Sequence, residues 1–186
     1  MTARTRSSFV LLALFLAAGF LIIGTDALLA PLRLSGESSV QYPEYSGVTA
    51  GYTLGELTAV TDHDAVTAYV ELLDESGAQV GWVLDLKGNG FAGALRLVAS
   101  YDLSGSVIAG QMLENSETPG IGTRSEDPGY FDMFIGLGSE QPLPRVAREV
   151  DSSFAQVVSG ATITFNGVAR SLYAGAEYVK SLGGTR

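Results

Sequence analysis

Near the C-terminus, Ser159-Gly160-Ala161-Thr162-Ile163-Thr164 gathers three hydroxyls and a glycine within six residues. Ahead of it, Phe154 to Val158 is a short apolar, partly β-branched run, which predicts a strand. Behind it, Val168, Leu172, Ala176, Val179 and Leu182 recur three to four apart, as one face of a helix does, and the helix is expected from Phe165 to Leu182. A strand turning through Ser-Gly-Ala-Thr into a helix offers hydroxyls, a backbone that glycine opens to a ligand, and the N–H groups left over at a helix start. Such a place suits a phosphate. It is also the make-up of an ordinary helix cap, and on spacing alone the cap is the commoner reading.

Other residues with chemical potential are fewer. Glu114-Asn115-Ser116-Glu117-Thr118-Pro119-Gly120-Ile121-Gly122 is a rigid bend: the proline holds Thr118 extended, and the glycines permit close approach beside Glu117 and Thr118. Such a bend can also do no more than end a strand. Gly88-Asn89-Gly90-Phe91-Ala92-Gly93 spells the G-x-G-x-x-G of dinucleotide sites, but Ala94 to Tyr101 after it reads as a strand, not the helix that a βαβ fingerprint needs. His63, the single histidine, lies between Asp62 and Asp64 in a polar stretch and reads as solvated surface, so no metal site is expected. Cysteine is absent, which excludes disulfides, thiol catalysis and Cys-ligated Fe–S clusters. No catalytic acid, base or nucleophile set emerges.

The elements that must position these residues are legible in outline. Val66 to Leu73 and Ala78 to Leu86 are β-rich runs joined across Asp74-Glu75-Ser76-Gly77; Ala94 to Tyr101 and Ser106 to Leu113 are joined across Asp102-Leu103-Ser104-Gly105. Both loops end in glycine, as left-handed hairpin turns require. Trp82, Leu84 and Leu86 alternate, as do Leu95 and Leu97, and are expected in the core, Trp82 as packing. The fold class is α+β: an antiparallel, hairpin-rich sheet covered by helices, with an N-terminal transmembrane helix.

That helix rests on Phe9 to Ile23, an almost unbroken apolar run preceded by Arg4 and Arg6. With neutral flanks it approaches the roughly 20 residues needed to span a bilayer, and cleavage sites near it are poor. Residues 1–30 are thus expected to be a short cytoplasmic start and an uncleaved anchor, 31–52 an irregular tether, and 53–186 an exported domain. In the tether, Tyr42 and Tyr45 could dock on neighbours or lie at the interface. Beyond Ala30 there are nine Lys and Arg against nineteen Asp and Glu. That surface repels nucleic acid and anionic headgroups, so a phosphate would have to be held by helix N–H groups and local polar contacts.

The Ser159-Gly160-Ala161-Thr162 run, with Glu117-Thr118-Pro119-Gly120-Ile121-Gly122 about forty residues before it, resembles the FMN-binding domain of the G subunit of Rnf ion-translocating electron-transport complexes. It is similar to the C subunit of the Na⁺-translocating NADH:quinone reductase as well. Gly90-Phe91-Ala92-Gly93 resembles the small glycine-aromatic loop of the same family. The resemblance covers about Gly51 to Gly183. It implies that Thr162 carries FMN through a phosphoester, that Ser159, Gly160, Ala161 and Thr164 line the phosphate end, and that Glu117, Thr118, Gly120, Ile121 and Gly122 contact the flavin or shape its cleft. Thr164 could equally cap the helix. The family's usual Asp three residues before the Ser is Gln156 here, which keeps the length and hydrogen bonds but loses the charge read by the flavin transferase.

By that resemblance the chain is an electron-transfer subunit in the cell membrane, single-pass with its FMN domain outside. It would serve an ion-translocating oxidoreductase with other membrane subunits and not act as an enzyme by itself. A phosphoester leaves the flavin ring unaltered and removes the dissociation that a finite affinity would allow. Two alternatives belong to other classes: a non-redox, membrane-tethered assembly module that uses Thr162 only as a cap, and a freestanding FMN-dependent reductase.

Overall fold

The computed structural model describes residues 42–117, 122–159 and 161–183; the expected cytoplasmic start, the apolar run from Phe9 and the first half of the tether lie outside them. No helix among the described residues is long and apolar enough to cross a membrane. Five strands, β1 (Thr53–Ala59), β2 (Val66–Leu73), β3 (Gln79–Asn89), β4 (Ala94–Asp102) and β5 (Val107–Glu114), make one antiparallel meander in that order. The helices are α1 (Ala155–Val158) and α2 (Thr162–Gly183), with short 3-10 turns between β5 and α1.

Both expected hairpins form, and their turns share one chemistry. Asp74 Oδ1 accepts from the N–H groups of Ser76 and Ala78 at 2.8 and 2.9 Å, and Asp102 Oδ1 accepts from those of Ser104 and Ser106 at the same distances. Gly77 and Gly105 then take φ of 80° and 88°, in the left-handed region. Strand β1 has no clear signal in the sequence because Gly55, Glu56 and Thr58 interrupt its apolar pattern; it pairs with β2 through a bulge between Leu54 and Leu57.

The sheet is buried on both faces. On one, Trp82, Leu84, Leu86, Leu95, Leu97 and Tyr101 meet Phe165, Val168, Leu172, Ala176 and Val179 of α2. The expected alternation is present, and Trp82 packs edge-on against Tyr69. On the other, Val70, Leu72, Val83 and Val98 are covered by Tyr45 and Val48 from a 3-10 turn, Pro43–Val48. Tyr45, which the sequence offered as a docking residue, is instead a core residue. Its hydroxyl donates to Asp85 Oδ2 at 3.2 Å, and Arg96 closes on the same carboxylate with Nη2 at 2.6 Å. Burial, with the neighbouring Asp85 carboxylate, pushes the Tyr45 hydroxyl well above its ordinary range.

Three local expectations are corrected. Phe154 to Val158 is not a strand: Asp151 Oδ1 accepts from Ser153 N–H at 2.8 Å, starts a 3-10 turn over Ser152–Phe154, and the chain continues helically through α1. Five residues with one pair of valines do not override a capped turn. The long helix starts at Thr162, not Phe165, because the Ala161 carbonyl already accepts from Phe165 N–H at 2.8 Å. His63, expected as solvated surface, is half-buried; its Nδ1 accepts from the N–H groups of Ala65 and Val66 at 3.1 and 3.0 Å, which shapes the entry to β2.

Candidate functional site

Helix α2 runs antiparallel to β3, so its N-terminus lies at the end of the sheet where β3 turns into β4. The pairing is set by small residues. A Cβ on Gly167 would overlap the Asn89 carbonyl oxygen, a Cβ on Gly88 would lie 3.2 Å from the Gly167 carbonyl oxygen, and a Cβ on Gly175 would lie 3.3 Å from Leu86 Cδ1. The Tyr101 hydroxyl donates to Leu172 O at 3.0 Å and fixes the helix along its axis. Thr162, five residues before Gly167, stands roughly 7 Å further out along the helix at 1.5 Å per residue.

At this end the chain exposes Gln156, Ser159 and Thr162, spaced three apart, with Ile163 beside them; Ala161 is buried. Ser159 is extended, at φ −61° and ψ 127°, which separates α1 from α2 and lets α2 start afresh at Thr162. Thr162 therefore presents its side chain at the first turn of a 22-residue helix, where the backbone N–H groups have no intrahelical partner. Thr164, one of the hydroxyls expected here, is 2% exposed inside that first turn, so it does not cap the helix.

The second signature reaches the same end. Glu117 is 7% exposed, its Oε1 accepts from Ala92 N–H at 3.2 Å, and its own N–H donates to Asn115 Oδ1 at 3.0 Å. A Cβ on Gly90 would overlap Glu117 Oε1, so the glycine at the hairpin tip is what admits the carboxylate. Asn115 Nδ2 donates to Glu126 Oε1 at 2.7 Å, which joins the chain just after β5 to the segment past the signature. Thr118, Gly120, Ile121 and Gly160 lie outside the described residues, while Gly122 opens the 3-10 turn Gly122–Glu126.

One connection between the signatures has no counterpart among the expected site residues. Arg124, half-buried, donates from Nη1 to the carbonyls of Gln156 at 2.9 Å and Ser159 at 3.2 Å. It ties the segment after Glu117-Thr118-Pro119-Gly120 to the Ser-Gly-Ala-Thr turn. Its place just past the glycine-rich bend is the only sequence signal for it, and a lone arginine there carries none by type. Phe91, 72% exposed at the hairpin tip, adds an apolar side chain at this end.

Residues 90–177 match the sequence profile of the FMN-binding domain. This part of the chain is an FMN-binding domain. Its cofactor is FMN. The matched span takes in the hairpin tip, Glu117, Arg124, the Ser-Gly-Ala-Thr turn and most of α2. The chain is also 31% identical over 122 residues to the G subunit of the ion-translocating oxidoreductase complex of Methanosarcina acetivorans, covering 64% of this chain and 62% of that one. It is 30% identical over 122 residues to the G subunit of the same complex in Cereibacter sphaeroides, covering 63% and 54%. A further relative is the C subunit of the Na(+)-translocating NADH-quinone reductase of Vibrio alginolyticus, 29% identical over 113 residues, with 56% and 44% covered. The matches thus span about half to three-fifths of the relatives' own lengths.

The FMN-binding domain has groups that fit the phosphate end of such a cofactor: an exposed Thr162 hydroxyl, a helix start and the cationic Arg124 on the same turn. Gly90, which has no room for a side chain, lets the Glu117 carboxylate and the hairpin tip close beside them.

Proposed function

We propose that this chain is a membrane-anchored electron-transfer subunit of an Rnf-type ion-translocating oxidoreductase, carrying FMN covalently on Thr162. The observation that carries the reading is the meeting of the two signatures at one end of the sheet, with Arg124 bonded to the turn that exposes Thr162. The apolar run from Phe9 supplies the anchor, with the FMN domain on the extracytoplasmic side. Its partners are the other membrane subunits, and a flavin transferase matures it.

Loading forms a bond between Thr162 Oγ1 and phosphorus as the pyrophosphate P–O bond of a flavin dinucleotide donor breaks. The nucleoside monophosphate leaves, and the hydroxyl proton passes to a base of the transferase or to solvent. When bound, FMN accepts electrons from one redox centre and returns them to another. The protein's own part is to hold and orient. Thr162 is the attachment point, Ser159, Ala161 and the first turn of α2 frame the phosphate end, and Glu117 holds the glycine-rich tip through Ala92 N–H. Gln156 is exposed, where a transferase can read its amide without a charge.

The test is a denaturing gel of the full chain after co-expression with a flavin transferase. A fluorescent band in the wild type that is absent in Thr162→Ala supports the reading; a dark wild-type band beside a fluorescent positive-control substrate would leave the assembly-module alternative.

A further inference from the structure

The described residues place one cationic side chain on the Ser159–Thr162 turn. Arg124 Nη1 bonds two carbonyls, Gln156 O and Ser159 O, which flank the end of α1 just before α2 begins. The ion pairs among the described residues join Arg96 to Asp85 and Glu114, and Lys180 to Glu177; none involves Arg124. Its donors are thus used on neutral acceptors, and its charge is not cancelled by a carboxylate there. In a chain with 20 Asp and Glu against 11 Lys and Arg, this positive charge has a fixed address, because the two carbonyls hold it on the turn.

We propose that Arg124 is a positioning residue of the FMN site. It holds the turn so that Thr162 is presented, and it supplies positive charge for the flavin's phosphate. The proposal rests on the reading that Thr162 carries the cofactor. A guanidinium suits the task because part of its fork can bond the turn while the delocalised charge remains available to an anion. The linked FMN is a phosphodiester with a single negative charge, which one arginine balances. The same charge would favour approach of the donor's anionic pyrophosphate to an otherwise acidic surface.

The experiment follows flavin incorporation into the detergent-solubilised full chain by intact mass over time, with a flavin transferase and its flavin dinucleotide donor. Wild type is compared with Arg124→Lys, Arg124→Gln and Arg124→Ala, and each variant's thermal midpoint is measured so that incorporation is read well below it. Loss of the charge in Arg124→Gln and Arg124→Ala should slow incorporation roughly tenfold or more, while Arg124→Lys restores it to within about threefold of wild type. A structural tie alone would move the midpoints and leave Lys and Gln alike in rate, which overturns the proposal. If Arg124→Ala does not fold, the comparison of Lys with Gln decides. Incorporation into wild type with equal rates in all variants overturns this proposal only; a wild type that takes no flavin on Thr162 overturns the attachment reading, and this one with it.

Discussion

Gly167→Ala sets two effects of opposite sign against each other. Alanine in a helix interior is favoured over glycine by about 1 kcal/mol, so propensity alone predicts a more stable protein. The added Cβ, however, would overlap the Asn89 carbonyl oxygen and sit 3.0 Å from its carbon and 3.1 Å from Leu95 Cδ1. Two of those three neighbours are backbone of β3 and cannot rotate away. Helix α2 must lift from the sheet, loosening Phe165 and Val168, which are fully buried on either side of the substitution. Overpacking of this kind costs typically 1–3 kcal/mol, and a backbone neighbour argues for the upper end, about 3 kcal/mol. The net effect is a loss of about 2 kcal/mol, or roughly 4–8 °C in thermal midpoint for a chain of this size. Urea unfolding with a linear extrapolation measures it directly. Gly183→Ala, where the nearest atom to the new Cβ is Leu103 O at 3.6 Å, should be close to neutral. A Gly167→Ala protein as stable as wild type, or more so, would refute the close seating of α2 on β3 that sets the position of Thr162.

Thr162→Ser should retain covalent flavin, since it keeps the hydroxyl, whereas Thr162→Ala should lose it with no more than about 1 kcal/mol change in stability, as expected for an exposed first-turn residue; mass spectrometry and thermal melts separate the two effects. Gly90→Ala should displace Glu117 and leave Ala92 N–H without its acceptor, costing about 1–3 kcal/mol and reducing flavin incorporation, read by melting and by bound-flavin absorbance. Asp85→Asn should destabilise by about 2–3 kcal/mol, because Asp85 is 4% exposed and its loss of charge leaves Arg96 only Glu114 as an ionic partner. For Asp102, partial burial acts to raise the carboxyl, but hydrogen bonds from Ser104 and Ser106 outweigh it and hold it below its ordinary value. A depressed value stabilises the fold above the unfolded-state range near 4 and is lost as pH falls through the folded value. Asp102→Asn should therefore be less stable than wild type at pH 7, with the gap closing below about pH 4 in pH-dependent melts.

The legible parts of the fold were those with a local cause. The two hairpins are written in Asp-x-Ser-Gly turns whose carboxylates and glycines need no distant partner, and the alternation of Trp82, Leu84 and Leu86 marks a face that is indeed covered. What the sequence concealed depends on distant partners. Val83, Asp85 and Val98 look like the outward half of a strand until Tyr45 and Val48 arrive from a segment that composition alone reads as tether. Phe154 to Val158 has strand-like residues, yet one Asp151 cap commits it to helical turns, and the next helix then starts early enough to bury Thr164. At the site, both signatures could be recognised as motifs, and the resemblance implied that they serve one cofactor, but the contact that ties them could not be read. It is made by Arg124 reaching main-chain carbonyls, and carbonyls have no residue type to betray them.

The central claim is that Thr162 is the attachment point, and the most direct test is peptide-resolved mass spectrometry of the full chain matured with a flavin transferase. Trypsin releases the segment from Glu149 to Arg170, which contains Ser152, Ser153, Ser159, Thr162 and Thr164 as competing hydroxyls. The mass of FMN less one water is expected on this peptide, with fragmentation placing it on Thr162. An adduct on a different hydroxyl, or an unmodified peptide beside a fully modified positive-control substrate, would contradict it.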